Sequence, residues 1–287
     1  MLGARVGMLP GWPKEVPMTR TRTLWIVTMA FGAGVLSRPA PSAPIVEEPV
    51  GPLVFPGASF QVDGRIALSA LIALADHHVA SMLDALELAA ACGDAVSGEW
   101  ERMKGLLEQV QRQGTPAAVW FARPDGSYFT VDKGLTGQNL KDRPYFPRLM
   151  AGETVMGELV VSRSTGKNSA VVAVPLRRGD DTIGALGASI YLDRLSEILQ
   201  QELKLPAGMI FFALDDRGDT VLNSNPDRIF KYPAEQGNPA LARAASEILA
   251  APEGRTRYEF DGAVRDVIFQ VSPLTGWRFA LGLVLEE

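Results

Sequence analysis

The sequence predicts an α+β protein, in which one long helix precedes two copies of a small antiparallel-sheet unit. Three observations carry this. Apolar residues recur at helical spacing from Leu68 to Val110. Beyond Pro116 the pattern changes to short β-branched and aromatic runs punctuated by Gly, Asp and Pro. Those runs, with the helical stretches between them, read β-β-α-β-β-β twice.

The elements follow in order. Arg20 and Arg22 precede a thirteen-residue apolar run, 24–36. That is the length of a signal h-region, whereas a membrane span needs about 20 residues. Met18 is an alternative start to Met1. Prolines crowd the cleavage region, so the leader (1–43) is either removed or kept as an uncleaved anchor. Prolines 39, 41, 44, 49, 52 and 56 make the following stretch, 44–64, a stiff linker.

Leu68, Leu71, Ile72, Ala75, Val79, Met82, Leu83, Leu86 and Ala90 form one helical face. Gly93 and Gly98 mark a kink or break. The pattern resumes at Trp100, Met103, Leu107 and Val110, and stops at Gly114 and Pro116. An element of about 45 residues would run roughly 65 Å. It either spans two modules or forms a coiled coil, and its amphipathic face also offers a homodimer surface.

Residues 117–123 and 127–131 flank Pro124-Asp125-Gly126, which is hairpin chemistry. A polar, glycine-containing stretch follows over 132–154, with a short helix near 145–151. Strands are expected at 158–162, 168–178 and 182–192, then a helix from Asp193. This first unit, with the long helix, occupies 65–203. A smaller second unit, 204–287, has a hairpin around Asp216–Asp219, a helix at 240–249 and three closing strands.

Several of these segments resemble one family when taken together. Asn139-Leu-Lys-Asp-Arg-Pro-Tyr-Phe is followed by Ala151-Gly152. Next come Val160-Val-Ser-Arg-Ser-Thr-Gly-Lys, Val171-Val-Ala-Val-Pro and Ile183-Gly-Ala-Leu-Gly-Ala-Ser-Ile-Tyr-Leu-Asp. The second unit adds Leu214-Asp-Asp-Arg-Gly-Asp-Thr-Val-Leu and Gly276-Trp-Arg. In this order they resemble the double-Cache extracellular sensor domains of bacterial chemoreceptors, histidine kinases and cyclase regulators. The resemblance covers about 65–287. It implies a long helix packed along two PAS-like antiparallel-sheet modules. The first module lies farther from the membrane and holds the ligand.

The resemblance implies that Arg143 binds a ligand carboxylate, with Tyr145 and Phe146 lining the pocket. The chemistry agrees, because guanidinium is a planar fork for a carboxylate and tyrosine joins an apolar body to a polar tip. Amino-acid-binding members carry Trp-Tyr where this chain has Tyr145-Phe146. They also carry an acid, for the ligand ammonium, where it has Ser189. A small organic carboxylate therefore fits better than an α-amino acid. Tyr128 either reaches the pocket mouth or fills the sheet face, and Trp120 either lines the site or packs in the core. Loops 132–142 and 162–168 would close over the ligand, and a membrane-bound partner would read the change. The expected location is periplasmic or extracytoplasmic. Typical members continue into a second span and an output domain, whereas this chain stops at Glu287.

Composition bounds the alternatives. Of 28 basic and 33 acidic residues, the first 43 positions hold five and one, so the remainder carries 23 and 32, a net −9. No basic cluster breaks that balance, which argues against nucleic acid. One cysteine and two adjacent histidines cannot build a multi-thiolate or histidine-rich metal site, and no cofactor is implied. Ser164-Thr165-Gly166-Lys167 lacks the spacing of a phosphate loop. No nucleophile elbow or base-paired nucleophile is visible, so no enzyme is expected. Cys92 is expected buried, and His77 and His78 on a polar helix face. Arg163 and Lys167 are expected in a solvated loop, with a second anion contact as the alternative. The rival function is a scaffold whose pocket is filled with apolar side chains.

Overall fold

The computed structural model describes residues 63–285. The expected leader, and all but the last two residues of the expected linker, lie outside the described residues. Asp63 caps the first helix, α1 (Gly64–Ala91), by accepting from the Arg65 N–H at 2.9 Å. By length and composition α1 could cross a membrane, with 28 residues and an 18-residue stretch of mean hydropathy 1.5. Its apolar stripe is used otherwise: Leu71, Ala75, Val79, Met82 and Leu86 are almost fully buried in the protein core.

The helical segment breaks where the glycines stand. α1 ends at Cys92, one turn follows as α2 (Gly93–Val96), and α3 (Trp100–Gln113) then returns beside α1. Gly98, at φ 74°, makes the reversal. A Cβ on Gly114 would sit 2.6 Å from the Met82 methyl, which shows how closely α3 ends against α1. The element is thus a helical hairpin with one long arm, about 42 Å at 1.5 Å per residue, and not one 65 Å rod. The long arm touches strands of both sheets.

The first sheet contains β1 (Ala117–Ala122), β2 (Ser127–Thr130), β3 (Gly134–Asn139), β4 (Val155–Val161), β5 (Asn168–Arg178) and β6 (Asp181–Tyr191), in the order β3-β2-β1-β6-β5-β4. All neighbours pair antiparallel. β3 is a correction to the sequence reading, which left this stretch without a strand. It is a mostly exposed edge strand whose one large apolar side chain, Leu135, also faces solvent, so no alternation announces it. A short helix, α4 (Phe146–Met150), follows.

The second unit starts after α5 (Leu192–Leu203). It contains β7 (Met209–Leu214), β8 (Thr220–Asn223), α6 (Pro239–Ala250), β9 (Glu253–Phe260), β10 (Ala263–Val271) and β11 (Arg278–Leu285), with sheet order β8-β7-β11-β10-β9. Without the extra edge strand the first sheet has the same order.

Strand alternation divides the core into layers. Ala117, Val119 and Phe121 face the layer of α1, α3 and α5, which continues onto Phe211, Ala213 and Phe279 of the second sheet. Trp120 and Ala122 face the opposite side, under α4. Phe212, Leu214 and Ala280 face α6. Each sheet is therefore covered on both faces. The side of the first sheet away from α1 carries the candidate site.

Candidate functional site

The Pro124-Asp125-Gly126 turn positions the site. Leu140 N–H donates to Gly126 O at 2.8 Å, and the Asn139 side-chain amide donates to Asp125 O at 3.0 Å. Gly126 sits at φ 85°, and a Cβ there would meet Asn139 Oδ1 at 2.2 Å, so the close approach requires glycine. From this anchor the chain turns twice. Arg143 N–H bonds Leu140 O at 2.9 Å, and Phe146 N–H bonds Arg143 O at 3.0 Å, where α4 begins. Pro144 fits the bend because it fixes φ. The two turns aim Arg143 and Tyr145 at the sheet.

A small cleft results. Trp120, Tyr128, Arg143, Tyr145 and Ser189 line it, together with Leu140, Val160, Ser162, Arg163 and Ser164. Five of the six residues named from the sequence meet there. Phe146 does not: it is 2% exposed and packs with Leu149 and Val155 beneath. Tyr128 resolves toward the cleft. Trp120 is both core and lining, and its Nε1–H donates to Ser189 Oγ at 3.3 Å. Ser189 is thereby partly engaged.

Arg143 donates Nη2–H to Val161 O at 2.7 Å, while its buried Nε–H has no partner. An unpaired buried donor of this kind carries a desolvation cost that an anion would relieve. Burial pushes the Tyr145 hydroxyl up to about 12, against the pull of the nearby Arg143 charge. Tyr145 therefore stays a protonated donor at neutral pH. The lining holds two guanidinium groups and no carboxylate. It can accept an anion, but it has no acid to pair with an ammonium.

The roof is the part that sequence reasoning missed. Arg163 binds Asp142 through two parallel bonds of 2.7 and 2.6 Å, and also reaches Asn139 O. This ion pair holds the Asp142 carboxyl below its usual range. Lys133 Nζ reaches Ser164 O. The two loops expected to close are thus joined over the cleft, and Arg163 is a latch rather than a solvated loop residue. Lys167 instead lies 4.2 Å over the Tyr191 ring. The signal available in the sequence was the period of two that runs through β4 and one residue past its end, which puts Val160 and Ser162 on the Trp120 face. The remaining space is about 10 Å³, room for at most one water.

Other expectations resolve away from this site. Cys92 is exposed, a correction to the buried reading, because the helix ends there and turns outward. His78 links α1 to Thr115, its Nδ1 lying 3.0 Å from Thr115 Oγ1. His77 Nδ1 lies 3.3 Å from Ser81 Oγ of the same helix. Among the described residues no group of three acidic, Cys or His side chains could hold a metal.

No protein-family model matches the sequence, and no curated protein matches it either. Solved structures do match. An extracellular ligand binding receptor from Desulfohalobium retbaense aligns at TM-score 0.61 and 15% identity; the alignment covers 77% of this chain and 40% of the receptor's length. The ligand-binding domain of Pseudomonas fluorescens chemoreceptor CtaA, in complex with L-alanine, aligns at TM-score 0.62 and 16% identity, covering 78% and 96%. The V. cholerae histidine kinase DctB sensor domain aligns at 0.58 and 18%, covering 78% and 96%. At these identities the likeness concerns the fold, and the chain has the double-Cache fold.

Proposed function

We propose that this protein is an extracytoplasmic sensing module that reversibly binds a small organic carboxylate in its first, membrane-distal module. The observation that carries the reading is Arg143. Its Nε–H is buried without a partner at a cleft where Tyr128, Tyr145, Ser162 and Ser189 also converge. Arg143 clamps the anion, and the two tyrosines add hydrogen bonds. Opening and closing of the Arg163–Asp142 roof admits the ligand. A membrane-bound partner reads the change, with α1 as the element that could carry it, since it touches both sheets. The folds with similar architecture include sensor domains and an L-alanine complex, which supports ligand sensing in general. The lining lacks an acid for an amine, which favours an organic acid over an amino acid.

One observation favours a second reading. A cleft of about 10 Å³ excludes any organic acid until the roof moves. A roof that never opens leaves a scaffold that docks on a membrane partner. A thermal-shift screen of the purified chain against organic acids and amino acids separates the two. A ligand at about 100 times its Kd should add about 2.7 kcal/mol, or several degrees. An organic acid that shifts the wild type but not Arg143→Ala supports the sensor. A shift that survives the substitution removes Arg143 as the clamp, and no shift at all supports the scaffold.

A further inference from the structure

The second module holds a cavity at the place that matches the first module's cleft, and it is larger. In the first module the cleft lies on the sheet face away from α1, roofed by the connection from β2 to β4. In the second, the connection from β8 to β9 roofs the same face. Phe212 lies on the first strand of its sheet as Trp120 does, and Arg228 lies in the connection as Arg143 does. The space between is about 200 Å³. An apolar cavity of roughly 150 Å³ accepts a benzene ring.

Its chemistry is divided. Ile210, Phe212 and Leu241 give an apolar floor. At the rim the Arg228 and Arg265 guanidinium carbons lie 4.3 and 5.0 Å from the centre of the Phe260 ring. Arg228 bonds the exposed Asp261 carboxylate at 2.6 Å, and Arg265 donates to Phe260 O. A guanidinium carries five N–H donors, so each keeps several free. No carboxylate lines the cavity. The Tyr258 side chain, 5% exposed, lies close enough to feel both arginine charges.

We propose that this cavity is a second binding site, for a monocarboxylate with an aromatic or branched aliphatic body. The body fills the space over Phe212 and Leu241, and the carboxylate meets Arg228 and Arg265. The site is independent of Arg143, so it stands or falls apart from the function proposed for the first module.

The test is calorimetric titration of the purified full chain with benzoate and with isovalerate. At least one probe should bind saturably, and saturable binding should remain in Arg143→Ala, which lacks the clamp of the first cleft. Arg228→Ala with Arg265→Ala should weaken it tenfold or more. Gln236→Trp should block it by filling the cavity while leaving both charges, which keeps the test decisive if the double variant unfolds. Absence of saturable binding by both probes in the low-millimolar range overturns the proposal. So does binding that survives Gln236→Trp in the Arg143→Ala background, or binding that Arg143→Ala abolishes.

Discussion

Gly187 shows how single atoms set the candidate site. It pairs with Trp120 across β1 and β6, and a Cβ there would lie 2.2 Å from Trp120 Cζ2. The indole can lie flat over the sheet only because the residue opposite has no side chain. Gly187→Ala should push the indole out, break its bond to Ser189 and cost about 1 to 3 kcal/mol. Denaturant unfolding followed by tryptophan fluorescence checks this, and an unchanged midpoint would show that the ring has room to move. Tyr145 gives a pH dependence. Its hydroxyl is raised from 10.0 to about 12 by burial, so the unfolded chain ionises first as pH rises. Stability is full below pH 10 and falls between 10 and 12, by about 2 to 3 kcal/mol from this group. Tyr145→Phe should remove that part of the slope. A smaller alkaline slope should remain, because burial raises Tyr258 too.

At the scale of elements, the roof is two loops tied by few bonds. Arg163 and Asp142 carry most of the tie, and both belong to loops that otherwise bond mainly within themselves. Exposed ion pairs add little to global stability, yet they set how often a local segment opens. Asp142→Ala should therefore leave the melting temperature nearly unchanged. Amide exchange should speed up over 139–143 and 162–167 and stay the same in β1 and β6. Unchanged exchange in both loops would show that backbone bonds hold the roof without the latch.

At the scale of the molecule, the two sheets share one core layer, and each packs a smaller cluster of its own on the other face. The layer of α1, α3 and α5 is one continuous apolar cluster that includes residues of both. Ser272, after β10, donates to the Asp76 carboxylate of α1 at 2.8 Å, and Trp277 packs against Gly157 of β4. Such a layout couples the modules. Leu86→Ala, at a fully buried position of α1, should cost about 2 to 5 kcal/mol. Scanning calorimetry should show one transition moving down as a unit. Two resolved transitions, with only one displaced, would mean that the sheets unfold independently.

The sequence by itself determined the elements that have a period or a turn signature. The α1 stripe, the Asp-Gly turns and the β-β-α-β-β-β order of the second unit, which the first repeats with one strand added, are local, and local patterns follow from backbone geometry and burial. It also named five residues that meet at one cleft, through segments whose order resembles a known family. β3 escaped notice because an exposed edge strand of Gly, Thr, Gln and Asn with a single Leu needs no apolar alternation. The reversal at Gly98 followed from a glycine that sequence marks only as a break. The Arg163–Asp142 latch joins residues 21 apart, and the second cavity depends on how far the β8–β9 connection stands from its sheet. Only tertiary packing decides such distances, because they are set by side-chain volumes meeting from separate elements.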